Sequence, residues 1–319
     1  MNQKKYKYRF TVLTCCYNSA NFIDRIKESL NNQTFRDFEW IVINDASTDN
    51  TSELLQEYIK TVDFPVKFFD LKQNQMIAAN INLALANAEG EILAGMGHDD
   101  VYDPHMLELY NNLYEKYNSD EIGGIIARCK TQYGKITPKE FTKPIMSYWE
   151  YGVDKNGRYT GEAPCAWKIE VYKKYLPFDP KELLRPLLPA LMSCDGYKFI
   201  TTNEVVRTYY VYEKGGHSLV TNGRKYVLHR YNSNLRHINL FCPHYHLSPW
   251  VKCTLCIHYA SSAIDNHLSF KEMINNVNRF KFLIFLLYPL AWLRSAMINN
   301  DFIHGLFVKY MRIKNKMKN

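Results

Sequence analysis

The 319-residue sequence predicts an α/β fold built on a mainly parallel sheet. Residues 10–13 and 40–43 are apolar or β-branched, which is typical of strands buried on both faces. Segments with helical apolar spacing alternate with such runs as far as residue 130. Because alternating strands and helices usually form parallel sheets with right-handed crossovers, this order predicts the fold class.

The predicted elements follow one another without a repeat or a low-complexity tract. Strands are expected at 10–13, 40–43, 66–70, 91–96, 122–130 and 202–210, and helices at 51–58, 76–87 and 104–116. The helix at 51–58 starts after Asn50, and Glu53 stands where a capping box would place it. Gly90 is expected to end the helix before the fourth strand.

Polar turns follow the first two strands. Residues 14–18 (TCCYN) and 44–49 (NDASTD) both lie at carboxyl ends of strands, where open α/β sheets bind ligands. Asp45 offers acceptor atoms for a base or a ribose, and nearby helix N-termini suit an anion. The pattern therefore indicates a nucleotide site, although an ordinary turn before a helix uses the same residue types.

These two turns resemble the start of a family 2 glycosyltransferase with the GT-A fold, a Rossmann-like sheet flanked by helices. The resemblance covers about residues 8–220, and Asn44 departs from the usual first acid. It implies that Asp45 contacts the base of a nucleotide donor. The residues that it places around the nucleoside are Thr14, Cys15, Tyr17, Asn18, Asp45 and Ser47.

The fourth strand ends at Asp99 and Asp100, two adjacent carboxylates that are costly to bury unpaired. Mg²⁺ and Mn²⁺ in nucleotide sites take one or two carboxylates plus phosphate oxygens. A helix N-cap is the alternative, but Asp103 is better placed for it. The resemblance implies that Asp99 binds the metal, that His98 supplies a ligand or a hydrogen bond, and that Gly97 replaces a family acid.

Three further residues are candidates through the resemblance. Asn80 is expected near the diphosphate, although its helix also fits a core-facing alanine stripe. Asp195 is expected to be the general base that deprotonates the acceptor. The alternative for Asp195 is an ordinary Asp-Gly turn. His217, in a Gly-Gly-His-Ser loop, is expected to meet a phosphate or a metal, and the alternative is a solvated loop histidine.

The implied reaction moves a sugar from a nucleotide diphosphate, most often UDP, to a hydroxyl of a saccharide or lipid-linked acceptor, with inversion and a divalent metal. Bacterial surface polysaccharide, including capsule, is the usual product. A GT-A domain is expected over 1–220, with a nucleotide-sugar half at 8–130 and an acceptor half at 131–220. A rival hypothesis is a catalytically inactive nucleotide-binding or scaffold subunit, because Gly97, Ala79 and Ala190 stand at positions that often carry function.

Composition narrows the partners. The net charge of +8 favours an anionic partner, and nucleic acid is the weakest choice because no zinc-finger pair or RNA-binding aromatic motif occurs. The polar start of the chain and the eight cysteines predict a cytoplasmic protein with free thiols. The Cys/His-rich stretch 242–258 fits buried thiols on a helix face better than a zinc site.

The region 221–319 is expected to be mainly helical. Its apolar run at 282–293 is too short to span a bilayer, which takes about 20 residues. A buried core helix is one interpretation. The other is an interfacial helix, because basic residues flank the run and a basic tail follows it. The second interpretation predicts peripheral attachment to an anionic membrane surface.

Overall fold

A computed structural model describes residues 5–179, 187–210, 227–300 and 306. The described residues form two compact units, one of 5–151, 160–179 and 195–210, the other of 152–159, 187–194, 227–300 and 306. The predicted domain boundary near residue 220 lies outside the described residues. That division therefore stays a prediction.

The first unit is built on one mixed sheet. Its strands are β1 (Tyr8–Cys16), β2 (Phe38–Asn44), β3 (Val66–Asp70), β4 (Gly90–Gly95), β5 (Val101–Tyr102), β6 (Ile122–Thr131), β7 (Ile136–Thr137), β8 (Ile145–Met146), β9 (Cys165–Lys168) and β10 (Lys198–Tyr209). The described strand order is β3-β2-β1-β4-β9-β6-β10-β5, with β7 beside β6 and β8 beside β10. The predicted α/β class is confirmed.

Strand direction decides which loops share an edge. Strands β3, β2, β1 and β4 pair in parallel, β9 lies antiparallel between β4 and β6, and β10 runs parallel to β6. Two antiparallel steps restore direction, so β1, β2, β4, β6 and β10 all point the same way. Their carboxyl ends form one edge of the sheet, which we call the carboxyl edge.

Helices cover this sheet and connect its strands. They are α1 (Ile23–Asn31), α2 (Thr51–Ile59), α3 (Met76–Asn87), α4 (Met106–Tyr117), α5 (Tyr148–Tyr151) and α6 (Ile169–Tyr172). The predicted cap of α2 by Asn50 is wrong, since its side chain makes no cap hydrogen bond. Asp49 accepts instead from the Thr51 backbone N–H at 3.1 Å.

The second unit is helical in its described parts. It contains α7 (Leu187–Cys194), α8 (Val227–Arg236), α9 (Pro249–Asp265), α10 (Phe270–Asn276) and α11 (Lys281–Asn299). Its core includes Tyr259, whose ring stacks on Tyr231. Cys256 is buried as a free thiol, and no metal-binding cluster of three or more His, Cys, Asp or Glu occurs among the described residues.

Helix α11 is longer than the predicted apolar run, and one of its faces packs in the core of the second unit through Ile284 and Ala291. Within the described parts of the chain it is the one helix long and apolar enough to cross a bilayer, judged by length and composition alone. Only 17% of its most apolar stretch is buried. The exposed apolar side chains are Phe282, Phe285, Leu286, Leu290, Trp292, Leu293 and Met297.

Candidate functional site

The turns after β1 and β2 are joined by hydrogen bonds at the carboxyl edge. Asn18 adopts a left-handed conformation with φ of 51°, which asparagine tolerates better than most residues. Its Oδ1 accepts from the Thr48 N–H at 2.7 Å, and its own N–H donates to Ser47 Oγ at 2.9 Å. The structure therefore brings these sequence-predicted residues together in one site.

Asn44 occupies the position where the resemblance led us to expect an acid, and its neighbours explain the difference. Its Nδ2 donates to Asp70 Oδ1 at 2.7 Å at the end of β3, while its Oδ1 accepts from Ser47. A carboxylate at residue 44 would face the Asp70 carboxylate with no donor between them. The amide of Asn44 therefore satisfies both neighbours where an acid could not.

Asp45 is buried and ties the second turn to α3. Its Oδ1 accepts from the Gln75 N–H at 2.7 Å, and its Oδ2 accepts from the Met76 N–H at 3.0 Å. Met76 has a φ of 70°, so the carboxylate stabilises a strained start of the helix. Each carboxylate oxygen accepts about two hydrogen bonds, so capacity for a further donor remains.

Thr14, Cys15 and Tyr17 line the end of β1 in different ways. The Thr14 side chain is buried and its hydroxyl accepts from Trp40 Nε1 at 3.0 Å, so this side chain belongs to the core. Burial and the nearby Cys16 and Asp45 charges raise the pKa of the Cys15 thiol, which is therefore neutral. The Tyr17 N–H donates to Ser19 Oγ at 3.0 Å.

His98 and Asp99 follow β4 at the same edge. His98 Nδ1 lies 3.0 Å from the Cys15 carbonyl oxygen, which can only accept, so Nδ1 carries the proton. This leaves a lone pair on Nε2, which is buried and has no partner among the described residues. The Asp99 carboxylate makes no hydrogen bond or ion pair with any described residue, while its carbonyl accepts from Arg25.

Arg207, and its pairing with Asp100, are features of the site that our reading of the sequence missed. Arg207 is buried, with Nη1 3.4 Å from Asp100 Oδ2 and Nη2 3.2 Å from Glu162 Oε1. Asp100 Oδ1 also accepts from the Tyr210 N–H at 3.2 Å. Burial raises the pKa of Asp100 to about 6, although the positive charge of Arg207 acts to lower it. The sequence signal that could have revealed Arg207 is an arginine inside the predicted strand 202–210, directly after the apolar Val206.

These contacts fix the loop that presents Asp99. Asp100 joins it to the end of β10 through Arg207, and Arg25 of α1 lies with its guanidinium carbon 3.7 Å from the centroid of the Tyr210 ring. The Gly97 N–H donates to Tyr102 Oη at 2.7 Å. Contacts with α1, β5 and β10 therefore hold the loop in place. The Asp99 carboxylate makes no hydrogen bond or ion pair with a described residue.

Residues 11–173, about half of the chain, match the family described as Glycosyl transferase family 2. The chain belongs to this family. This is the family that the turn motifs led us to expect. The matched residues include the two turns that follow β1 and β2, Asn80, and the loop that carries Asp99.

Curated relatives match a limited part of this chain. A cholesterol galactosyltransferase of Borreliella burgdorferi is 34% identical over 115 residues, covering 36% of this chain and 32% of the relative. A teichoic acid poly(glycerol phosphate) polymerase of Staphylococcus epidermidis is 32% identical over 119 residues, covering 37% of this chain and 16% of the relative. The matches thus span about a third or less of either relative.

Solved structures confirm the GT-A-like fold of the glycosyltransferase. S. aureus TarS 1–349, in complex with UDP-GlcNAc, superposes with a TM-score of 0.57 at 15% identity, covering 90% of this chain and 87% of TarS 1–349. The mannosyltransferase PcManGT of Pyrobaculum calidifontis, in complex with GDP-Man and Mn²⁺, gives 0.57 at 20% identity, covering 94% and 87%.

Asp195 is not brought to this site of the glycosyltransferase. It is exposed, accepts from Tyr175 Oη at 2.6 Å, and lies three residues before β10 begins at Lys198. The 12 residues of β10, at about 3.3 Å each, separate this end from the Tyr210 end by on the order of 35 Å. The predicted general base is therefore at the opposite edge of the sheet, and the alternative of an ordinary turn fits it.

The last two residues predicted from the sequence are Asn80, which the structure describes, and His217, which it does not. Asn80 of α3 is buried, and its Oδ1 has no hydrogen-bond partner in the described structure. A buried amide oxygen without a partner is costly, so its retention is consistent with a role in binding. His217 lies outside the described residues, as does the Gly-Gly-His-Ser loop.

The residues present fit a divalent cation that is bound mainly by its substrate. Asp99 offers a free carboxylate and His98 a buried, unpartnered Nε2 in the adjacent position. Mg²⁺ and Mn²⁺ at nucleotide sites need few protein ligands, because phosphate oxygens and water complete the shell. Asp100 is excluded from such a role by its contacts with Arg207 and Tyr210.

Proposed function

We propose that this glycosyltransferase moves a sugar from a nucleotide diphosphate donor, of which a UDP-sugar is the first choice, to a hydroxyl of a saccharide or lipid-linked acceptor, with inversion. The expected product is a bacterial surface polysaccharide. The UDP-GlcNAc complex of TarS and the teichoic acid polymerase among the relatives support the donor and the product class.

One observation carries this proposal. Three features lie together at the carboxyl edge. They are the two turns that Asn18 joins by hydrogen bonds, the buried Asp45, and the Asp99 carboxylate, which makes no hydrogen bond with a described residue. The loop that presents the half-exposed Asp99 is held by its contacts with α1, β5 and β10, while the Asp99 carboxylate makes no hydrogen bond or ion pair with a described residue, an arrangement that suits a ligand. A nucleotide diphosphate supplies both a base for Asp45 and charges that need compensation near Asp99.

The donor's nucleoside is assigned to the two turns. Asp45 has remaining acceptor capacity for an N–H of the base, and Tyr17, Asn18 and Ser47 line the turn beside it. Thr14 and Cys15 act by positioning the site, because the Thr14 hydroxyl holds Trp40 in the core and the Cys15 carbonyl orients His98. Asn80 is assigned to the diphosphate.

Asp99, with His98 Nε2 beside it, would hold a divalent cation at the diphosphate. Such a cation, bound there, offsets the negative charge that develops on the leaving diphosphate. His98 is positioned for this role by its bond to the Cys15 carbonyl, which fixes the tautomer and the ring orientation. The Mn²⁺ in the PcManGT complex supports the choice of metal.

The second unit is proposed to attach the enzyme to the cytoplasmic face of a membrane. The apolar side chains that α11 exposes include Phe282, Trp292 and Leu293. Aromatic and leucine side chains with flanking basic residues are the composition of helices that lie in the bilayer interface. A lipid-linked acceptor would make this location useful.

The test is nucleoside diphosphate release from a panel of UDP- and GDP-sugars with saccharide and lipid-linked acceptors, with Mn²⁺, Mg²⁺ or chelator. We expect acceptor-dependent release with one donor, and loss of about a hundredfold or more in Asp99→Asn. Nucleotide binding without release from any donor would instead support the rival binding or scaffold subunit.

A further inference from the structure

A polar cavity lies between three helices of the second unit, α8, α9 and α11. It has a volume of about 150 Å³, well above the roughly 10–15 Å³ that one water needs. Its lining residues are Arg230, Ser233 and Asn234 of α8, His258 and Ser262 of α9, and Arg294 of α11. Every lining side chain is polar, and two are guanidinium groups.

The two arginines are held at the cavity with unused donors. Arg230 Nη2 lies 3.3 Å from Asp265 Oδ2, but its Nε is buried and has no partner among the described residues. Arg294 Nη1 donates to Ser261 Oγ at 2.8 Å. A guanidinium group has five N–H donors, so each arginine keeps several for a ligand.

The positive charge of the cavity exceeds the negative charge beside it. Asp265 is the acid that contacts Arg230, and its carboxylate also accepts from Ser295 Oγ and from Asn299 Nδ2. One carboxylate therefore faces two guanidinium groups. Desolvation by the atoms packed around the ring, together with the charges of Arg294 and Arg230, lowers the pKa of His258, although part of this side chain is exposed to solvent. The neutral ring is able to donate one hydrogen bond.

We infer that Arg230, His258 and Arg294 form a binding site for a phosphate group. Two arginines that line one cavity with unused planar donors match phosphate better than any cation or neutral group. The hydroxyls of Ser233 and Ser262 and the amide of Asn234 add neutral donors for the remaining oxygens. This site is independent of the proposed transferase function.

The same phosphate chemistry has two sources, a lipid headgroup and a soluble phosphate. Arg294 follows Leu293 on α11 and, at about 100° per residue, lies on the flank between the exposed apolar side chains and the buried Ala291. A phosphate held at that flank would be at the border of the apolar face. The experiment must therefore have one arm for each source.

The first arm measures thermal unfolding of the full chain with inorganic phosphate against chloride at constant ionic strength. The second measures co-sedimentation with phosphatidylglycerol vesicles, with and without inorganic phosphate as competitor. Both use the wild type, Arg294→Gln, and the matched control Arg279→Gln. Arg279 is exposed just before α11 and is not a cavity residue, so its variant removes the same charge outside the site.

A lipid source predicts that Arg294→Gln weakens vesicle binding roughly tenfold to a hundredfold, as expected for lost charge-assisted hydrogen bonds. Arg279→Gln should weaken it about fivefold or less, as for one surface charge. A soluble source predicts that phosphate raises the melting temperature of wild type and Arg279→Gln but not of Arg294→Gln, with equal vesicle binding by both variants.

Equal behaviour of Arg294→Gln and Arg279→Gln in both arms would overturn the inference. Should Arg294→Gln fail to fold, His258→Gln replaces it, because the His258 side chain is partly exposed and makes no hydrogen bond to a described residue. That variant should reduce the phosphate effect severalfold without changing the melting temperature in chloride. An unchanged phosphate effect in it would equally contradict the site.

Discussion

Arg207 Nη1 lies 3.4 Å from Asp100 Oδ2, and this buried pair connects the end of β10 to the loop that presents Asp99. Glu162 completes the pair from the turn before β9. The relationship joins three separate parts of the chain at the carboxyl edge. It gives the Asp99 loop a fixed position without using the Asp99 carboxylate.

The pair predicts a large stability effect. Arg207→Gln leaves the buried Asp100 and the half-buried Glu162 without their shared cation, so we expect about 3–5 kcal/mol of lost unfolding free energy. Urea denaturation followed by circular dichroism measures it. Arg36→Gln is the control, since Arg36 is an exposed surface residue paired with Asp63, and should cost under about 1 kcal/mol. Equal losses in both variants would contradict the role of Arg207.

The Asn44–Asp70 hydrogen bond predicts that restoring the family acid destabilises this chain. In Asn44→Asp two carboxylates oppose each other, and we expect a loss of about 1–3 kcal/mol at neutral pH. The double variant Asn44→Asp with Asp70→Asn reverses the pair and should recover most of the loss. Additive losses in a double-mutant cycle by urea denaturation would show that the two side chains do not interact.

The burial of His237 leads us to expect that the second unit loses stability as the pH falls. Burial lowers the pKa of His237 to about 4, from an ordinary value near 6.5, and the neutral ring bonds Tyr245 Oη. The unfolded chain therefore binds more protons between pH 4 and 6.5, so this contribution to stability is lost as the pH falls through that window. We expect this contribution to be at most about 3 kcal/mol of unfolding free energy.

The check is urea denaturation of wild type and His237→Gln across pH 4 to 7. The difference between the two proteins should be largest at pH 7 and shrink towards pH 4, because the variant has no ring to protonate. His267→Gln is a control on an exposed histidine at the end of α9. A difference that is constant with pH would assign the effect to packing alone.

The position of Asp195 predicts that its carboxylate is dispensable for transfer. Asp195→Asn should keep activity within about threefold of wild type, because it lies at the opposite edge from Asp99 and contacts Tyr175. Initial rates under saturating donor and acceptor measure this. A hundredfold loss in a folded Asp195→Asn protein would restore it as the base and refute our placement.

Much of the fold could be predicted because local patterns and tertiary structure agree there. The runs at 10–13 and 40–43 are buried strands, and the polar turns that follow them meet at one edge. Periodicity and turn chemistry determine such elements without long-range information. The grouping of Asn18, Asp45 and Asp99 follows from the rule for carboxyl ends of parallel strands.

The rest depended on pairings that local sequence does not encode. Asn44 faces Asp70 and Arg207 faces Asp100 only because particular strands are neighbours in the sheet. Asp195 was misassigned because its neighbouring turn motif says nothing about which edge it occupies. The arginine cavity escaped notice for the same reason, since Arg230, His258 and Arg294 are on three helices.

Thermal unfolding with UDP and Mn²⁺, on wild type and Asp99→Asn, tests the central claim that the carboxyl edge binds a nucleotide diphosphate through Asp99. At 100 times its dissociation constant a ligand adds about 2.7 kcal/mol of stability, which is readily measured. We predict stabilisation of the wild type that needs Mn²⁺ and that Asp99→Asn largely loses, while Asp195→Asn keeps it. Equal stabilisation of Asp99→Asn and wild type would contradict the account.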